Sequence, residues 1–163
     1  MSVTDVQKDY DSLSLTLTAE LPAPPERVWQ LWADPRLLER WWGPPTWPAT
    51  VDSFDFRPGG EVAYHMTGPD GSVARGWWVL RSIEEPVALA FEDGFADDDG
   101  RPSAELPVMP TTVQLAPSGD RGTTMTISTA YASRQDMERV LEMGMAEGLR
   151  EAVSQMDGLL VSA

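Results

Sequence analysis

The chain has 163 residues, 42% of them hydrophobic, a length and composition typical of one folded domain with its own core. Its formal net charge of −14 argues against nucleic acid and anionic membrane surfaces as partners, because both are bound through basic patches. The chain has no cysteine, no signal pattern in Met1–Asp11 and no apolar run near the ~20 residues that span a bilayer, so we expect no disulfide and a cytoplasmic location.

The first third of the chain predicts one strand followed by two short helices. Met1–Asp11 is polar, which indicates a frayed terminus. Ser12–Ala19 alternates leucine with serine and threonine, which is the period of a half-buried strand. Pro24-Pro25 then fits the start of a helix, Asp34-Pro35 closes it and caps a second one, and Gly43-Pro44-Pro45 ends the second.

The following residues predict strands joined by turns. They are Val51–Phe56, Glu61–Thr67, Ser72–Ile83, a segment through Val87, Leu89 and Phe91, Thr111–Leu115 and Thr123–Thr129. In the third of these, the positions of uncharged parity are expected to face the core. They are Ala74, Gly76, Trp78 and Leu80.

The acidic, glycine- and proline-rich segment Asp93–Pro107 predicts a long hairpin loop. Its adjacent carboxylates at 97–99 do not alternate as calcium ligands do, and are expected to be solvated.

The C-terminal stretch Ser133–Leu160 predicts one long amphipathic helix with Ser133 as its N-cap. Apolar residues recur along it every three or four positions. They are Met137, Leu141, Met145, Leu149, Val153 and Met156. Gly144 and Gly148 each cost ~1 kcal/mol in a helix interior relative to alanine, which indicates that a sheet or a bound molecule approaches closely there.

Several short motifs follow one another in a distinctive order. They are Ala23–Trp29, Trp32–Pro35, Arg40–Pro44, Arg57–Gly60, Pro69–Gly71, Gly76, Thr112–Leu115 and Thr123–Ile127. In this order they resemble the START-like (SRPBCC) superfamily, and more narrowly the family named for the activator of the heat-shock-protein ATPase. The likeness extends from about Ser12 to Leu160. Gly144-Met145 stands where the family often has Gly-Trp, which favours a roomier cavity, and residues 93–107 look longer and more acidic than usual.

The resemblance implies an α+β helix-grip fold, in which a curved antiparallel sheet of about six or seven strands wraps around a long C-terminal helix. Two short helices would follow the first strand, and residues 1–163 would form a single domain with its core in 12–160. Members of the family include a co-chaperone domain and drug-binding self-resistance proteins, and related branches bind lipids or cyclise polyketides. The resemblance therefore implies a cavity between sheet and helix without fixing its use.

Twelve apolar and aromatic residues are expected to line this cavity. They are Trp41, Trp42, Phe56, Tyr64, Met66, Trp78, Phe91, Val113, Met125, Leu141, Met145 and Leu149. Core packing is the alternative for each of them. Trp29 and Trp32 are not among the twelve, because for these two residues core packing is the favoured interpretation. Met145, beside the two glycines, suits an adaptable apolar ligand equally well.

Catalytic and metal-binding patterns are weak in this sequence. His65 is the single histidine, so a multi-histidine metal site cannot form, and we expect no metal and no cofactor. The strand parity of His65 places it outward. The sequence has neither a Gly-x-Ser-x-Gly nucleophile elbow nor a Walker-type phosphate loop. The polar groups that a cyclase-like site could use are those of Arg57, Glu61, Tyr64 and Arg75.

Three functions remain open at this point. The first is non-enzymatic binding of a hydrophobic or aromatic small molecule between the sheet and the C-terminal helix. The second is a protein-interaction module that stimulates the ATPase of a chaperone, with that chaperone as partner. The third is an enzyme similar to polyketide cyclases and aromatases. In each case we expect a monomer or homodimer that contacts neither nucleic acid nor membrane.

Overall fold

A computed structural model describes residues 3–161, and the strands within that range form one eight-stranded antiparallel sheet. The strands are β1 (Val3–Asp9), β2 (Ser14–Leu21), β3 (Ala49–Phe54), β4 (Glu61–Thr67), β5 (Val73–Glu84), β6 (Ala88–Ala96), β7 (Met109–Ser118) and β8 (Gly122–Ala130). The helices are α1 (Pro25–Ala33), α2 (Pro35–Leu38), α3 (Arg134–Glu142), α4 (Met145–Ser154) and α5 (Met156–Val161).

The sheet order β1-β2-β8-β7-β6-β5-β4-β3 places β2 near one edge and β3 at the other. The two short helices α1 and α2 connect these distant strands, and α1 packs on β7, β8 and α5. At the C-terminus, α4 packs on β1 and β2. The predicted α+β architecture is confirmed: the antiparallel sheet is curved, two short helices follow the first predicted strand, and further helices lie at the C-terminus.

The predicted count of six or seven strands is wrong, because the segment predicted to be frayed forms β1. Val6 of β1 pairs with Leu17 of β2, and Val3 is 2% exposed. As an edge strand with one partner strand, β1 leaves most of its side chains in solvent, so its sequence lacks the hydrophobic alternation of β2. Met1 and Ser2 lie outside the described residues.

The predicted single helix over Ser133–Leu160 is three helices, interrupted at Met143-Gly144 and at Gln155. Ser133 is the N-cap of α3, as predicted, and its hydroxyl accepts a hydrogen bond of 3.1 Å from the amide of Asp136. The glycine of the first interruption has a φ of 89°, a left-handed conformation that a right-handed helix cannot contain. Within residues 3–161, none of the helices combines the length and apolar character that a membrane crossing requires.

The predicted loop Asp93–Pro107 also needs correction, since β6 extends to Ala96. Leu89, Phe91 and Asp93 share one parity in this strand, and all three are buried. The first four residues of the predicted loop are therefore part of the sheet. The aspartates at 97–99 follow the strand and are exposed, as predicted.

The predicted inner face of β5 is largely confirmed. Gly76, Trp78 and Leu80 are buried, whereas Ala74, next to the hairpin at the start of the strand, is exposed. Trp78 belongs to a group of aromatic rings packed near α1 and α2, which we call the tryptophan cluster. Its members are Trp32, Trp41, Trp42, Trp78 and Phe91.

Trp32 of α1 lies at the centre of the tryptophan cluster and is 0% exposed. Its ring centroid is 4.7 Å from that of Trp41 and 6.1 Å from that of Trp78. Trp78 in turn stacks on Phe91 at 4.2 Å, and the indole N–H of Trp41 donates to the carbonyl of Leu31 at 2.9 Å. This end of the core is therefore closely filled by rigid rings.

Candidate ligand-binding pocket

A pocket of about 210 Å³ lies between the sheet and the interruption that separates α3 from α4. We call it the methionine pocket. Its lining consists of Trp42, Pro44, Tyr64, Met66, Asp93, Phe95, Met109, Val140, Met143, Gly144, Met145, Gly148 and Leu149. Strands β4, β6 and β7 therefore contribute one wall, α3 and α4 the opposite wall, and the segment after α2 a side.

Five of the twelve residues expected around a cavity line this pocket. They are Trp42, Tyr64, Met66, Met145 and Leu149. Five others lie in the core with at most 1% exposure. They are Trp41, Trp78, Phe91, Val113 and Met125. Phe56 and Leu141 are partly buried, the first against Trp29 and the second beside the small cluster that includes Met137. The hollow thus occupies one end of the space that the sequence predicted.

The two glycines predicted to allow a close approach face open space. A Cβ built on Gly144 or Gly148 would meet no atom beyond its own helix within 4 Å. No strand therefore approaches at these positions. The left-handed backbone at Gly144 explains that glycine, but Gly148 lies in the regular helix α4 and has no such requirement. The space in front of Gly148 is available to a bound molecule.

Methionine side chains make up much of the pocket wall. They are Met66, Met109, Met143 and Met145. Met143 is 54% exposed, which places it at the mouth of the pocket. The hydroxyl of Tyr131 donates a hydrogen bond of 3.0 Å to the sulfur of Met145. Because unbranched thioethers adopt many rotamers, these walls can adjust to the shape of a ligand.

The polar end of the pocket is a buried pair, Tyr64 and Asp93. The Tyr64 hydroxyl donates a hydrogen bond of 3.2 Å to Oδ1 of Asp93. Burial among apolar side chains raises the pKa of Asp93 from 3.8 to about 7, and the hydrogen bond from Tyr64 opposes that shift only in part. Burial and the nearby Asp93 charge raise the pKa of Tyr64 well above its ordinary value, so the phenol remains a donor.

Gly76 gives Tyr64 the room that this geometry needs. Tyr64 in β4 is paired with Gly76 in β5, and a Cβ at Gly76 would lie 2.4 Å from the phenol oxygen. The phenol therefore reaches across β5 towards Asp93 in β6. The indole N–H groups of Trp42 and Trp78 lower the pKa of Tyr64, but neither makes a hydrogen bond of ordinary geometry within the described part of the chain.

This polar pair can accept a hydrogen bond, hold a positive charge or exchange a proton with a bound molecule. Groups of three or more histidine, cysteine or acidic residues placed to hold a metal ion are absent from residues 3–161. Arg57, Glu61 and Arg75, which were weighed with Tyr64 for a cyclase-like site, lie outside the pocket lining. The chemistry of the pocket therefore centres on Asp93.

Sequence reasoning missed Asp93 because its acidic side chain, followed by Gly94, resembled the start of a loop. The signal that could have found it is a continued alternation through Leu89, Phe91, Asp93 and Phe95. An aspartate in a strand with that parity is placed on the apolar face of the sheet. Met109 and Val140 were also missed, and they carry no signal beyond being apolar.

Comparison with known proteins adds a family and a set of similar folds. A family model described as Activator of Hsp90 ATPase homolog 1-like protein matches residues 22–161. No curated protein matches the chain.

Several solved structures are similar over nearly their whole length. Protein Ms6760 from Mycobacterium smegmatis is 49% identical, covers 97% of this chain and 96% of its own, and superposes with a TM-score of 0.90. A protein from Arthrobacter aurescens is 51% identical over 99% of this chain and 94% of its own, with a TM-score of 0.95. A protein from Staphylococcus epidermidis, 21% identical over 98% of this chain and 94% of its own, shares the fold with a TM-score of 0.83.

Proposed function

The chain belongs to the family of Activator of Hsp90 ATPase homolog 1-like proteins, and from that premise we propose that it binds a compact hydrophobic small molecule in the methionine pocket. The observation that carries this proposal is the open space in front of Gly144 and Gly148, in a pocket walled by flexible apolar side chains. Ligand pockets are mostly apolar with a few placed polar groups, and Asp93 with Tyr64 supplies those groups here.

The volume of the pocket limits the size of the ligand. About 210 Å³ is smaller than the ~300–1,000 Å³ of pockets that enclose drug-sized molecules. One or two rings are therefore the expected enclosed part. A longer ligand would leave the pocket past Met143, at its mouth.

Thermal unfolding with neutral aromatic probes tests the proposal. Indole, 2-phenylethanol and 2-naphthol are expected to raise the Tm, because a ligand that binds only the folded state stabilises it by RT ln(1 + [L]/Kd). Met145→Trp and Gly148→Leu are expected to abolish this increase, since both add side-chain volume to the pocket.

Gly158→Leu provides the matched control, because Gly158 lies in α5 and outside the pocket lining. This variant should show the same ligand-induced increase in Tm as the unchanged protein. Equal increases in the Met145 and Gly148 variants would show that the probes bind elsewhere. Either that result or the lack of any increase with all three probes would refute the proposal.

Stimulation of a chaperone ATPase is a second candidate function, favoured by the family description, which names activation of the Hsp90 ATPase. Such an activity would use the exposed surface of the chain and would not need the pocket. The ATPase rate of an Hsp90 chaperone, measured with the unchanged protein and with Gly148→Leu, separates the two candidates. Equal stimulation by both proteins would favour the interaction module.

An enzymatic role on an aromatic polyketide-type substrate is a third candidate, and Asp93 is the residue that favours it. A carboxyl group with a pKa of about 7 can both donate and accept a proton at neutral pH. Loss of turnover with retained ligand affinity in Asp93→Asn would support this role. A cytoplasmic location and a monomeric or homodimeric state stay predictions.

A further inference from the structure

The carboxylate of Asp93 presents an unused acceptor to the methionine pocket. Its Oδ1 accepts the hydrogen bond from Tyr64. Its Oδ2 makes no hydrogen bond within residues 3–161. This oxygen also keeps some exposed surface, unlike the fully buried indole nitrogens that lack a partner in that range. Since Asp93 lines the pocket, this oxygen is open to a ligand.

No positive side chain within residues 3–161 balances this carboxylate. Among the described residues that line the pocket there is no lysine, arginine or histidine. Asp93 is 9% exposed and is the one charged side chain in the buried class within residues 3–161. A buried carboxylate is unfavourable unless it is paired. Since the described residues supply no cation, the ligand must bring one if this carboxylate is to be ionised and paired.

The surroundings of Asp93 suit a positive charge attached to an apolar body. The rings of Trp42, Tyr64 and Phe95 line the same pocket, and the faces of aromatic rings attract ammonium groups. The methionine walls are apolar and repel no cation. At longer range, the net charge of −14 raises the local concentration of cations around the protein.

From these observations we propose that the ligand is a compact hydrophobic amine, bound as a monocation with its ammonium group at Oδ2 of Asp93 and its apolar body against the methionines. This inference rests on the proposed function, because it names the ligand class of the same pocket. An ionised carboxylate is an acceptor only, so it selects a ligand that donates. Hydrogen bonds between charged partners are stronger than neutral ones, so an ammonium group is preferred over a hydroxyl.

Binding of the amine is linked to the ionisation of Asp93. Because the pKa of Asp93 is about 7 without a ligand, amine binding at pH 6 should release a proton. An aliphatic amine with a pKa near ~10 stays protonated over this range, so its affinity should increase about tenfold from pH 6 to pH 8.

Within the part of the chain that the structure describes, the other titratable groups near Asp93 do not titrate between pH 6 and pH 8. Tyr64 of β4 and Tyr131, which follows β8, both have a raised pKa through burial and the Asp93 charge. Within the described lining, β7 contributes Met109, while α3, α4 and their junction contribute apolar side chains and glycines. Proton release at pH 6 therefore reports on Asp93.

Calorimetric titration with three probes that share one ring tests the inference. The probes are 2-phenylethylamine, 2-phenylethanol and 3-phenylpropionate, which carry a positive, a neutral and a negative group. At pH 8 the amine should bind at least about tenfold more tightly than the alcohol, and the carboxylate should bind most weakly. High salt should leave the preference for the amine in place, because salt screens exposed charges far more than buried pairs.

Asp93→Asn should remove the preference, so that the amine and the alcohol bind with similar affinity. Asp98→Asn is the matched control, because it removes the same charge from an exposed loop residue outside the pocket lining. It should keep the preference. Titrations of the unchanged protein in two buffers of different ionisation enthalpy measure proton release at pH 6, and this readout does not depend on the folding of any variant.

Four results would overturn the inference. Equal affinities for amine and alcohol in the unchanged protein would remove the amine preference while leaving the pocket as a ligand site. A preference retained in Asp93→Asn, or amine binding without proton release at pH 6, would assign the attraction to the overall charge. Failure of all three probes to bind would overturn this inference, and the proposed function would fail with it only if indole and 2-naphthol also gave no increase in Tm.

Discussion

The tryptophan cluster and the methionine pocket share Trp42 and the inner face of one sheet, but the helical segments that cover them carry different side chains. In the cluster, α1 places Trp32 against rings of the sheet at centroid distances of 6.1 and 6.3 Å. In the pocket, α3, α4 and the junction between them contribute two glycines and two methionines beside Val140 and Leu149, and no aromatic ring. The comparison shows that the residues of the covering helices decide where this fold is solid and where it is hollow.

Truncating the centre of the cluster should give the largest difference between the two regions. Trp32→Ala is expected to lower the free energy of unfolding by about 3–5 kcal/mol, because Trp32 is fully buried against other rings. Met143→Ala at the mouth of the pocket should change it by less than ~0.5 kcal/mol. Urea unfolding measures both variants. Similar losses for the two would contradict the distinction between a solid and a hollow end.

The free energy of unfolding should depend on pH through Asp93, at the polar end of the pocket. The pKa of Asp93 is about 7 in the folded protein and ordinarily 3.8, so between these values the folded chain holds a proton that the unfolded chain has released. The Asp93 contribution to stability therefore decreases as the pH rises from about 4 to about 7. Asp93→Asn removes this slope. The free energy of unfolding of the variant minus that of the unchanged protein should therefore be about 2–3 kcal/mol higher at pH 8 than at pH 5.

Urea unfolding at both pH values checks this expectation, with Asp98→Asn as the control for the lost charge. Asp98 is exposed in the loop after β6. The control should show no comparable change between the two pH values. A difference between Asp93→Asn and the unchanged protein that is the same at pH 5 and pH 8 would mean that Asp93 does not titrate in the pocket as described.

The interruption between α3 and α4 should respond to substitution for conformational reasons alone. Gly144 has a φ of 89° and open space at its Cβ position. Gly144→Ala is therefore expected to lower the free energy of unfolding by about 1–2 kcal/mol through backbone strain, without any clash. An unchanged midpoint in urea would show that the helices can join without the left-handed residue.

Gly148→Ala should have a smaller effect than Gly144→Ala, and one of the opposite sign. Gly148 lies in regular helix with open space before it, so alanine should raise the free energy of unfolding by about 0.5–1 kcal/mol. Gly158→Ala in α5 is the matched control and should give a similar gain. The Tm increase given by 2-phenylethanol should become smaller only in Gly148→Ala. An equal increase in both variants would place the probe away from Gly148.

Much of the fold could be predicted from the sequence, because strong local signals specify it. Leucine alternation in β2, the proline-opened helices and the Pro-Asp-Gly turn before β5 each act over a few residues, and each was interpreted correctly. β1 has no such signal, since its partner strand and α4 bury only one part of it. The break at Gly144 depends on a backbone angle that glycine permits but does not require.

The position of the hollow could not be predicted, because it depends on how side chains from distant segments fill space. Trp41 and Trp42 are adjacent and chemically identical, yet only Trp42 lines the pocket. Met125 and Met145 were both expected to line the cavity, yet Met125 lies in the core at 0% exposure. Sequence patterns give the face on which a residue lies, but they do not give the volume left between two faces.

Trp42 gives the molecule an optical reporter of its own interior. Among the described residues it is the one indole on the pocket wall, and its centroid lies 4.9 Å from that of Trp78 and 5.5 Å from that of Trp41. Indoles this close exchange excitation energy. Light absorbed by Trp41 or Trp78 can therefore be emitted by Trp42, the ring that a bound ligand contacts. Intrinsic fluorescence can therefore follow occupancy of the hollow without any added dye.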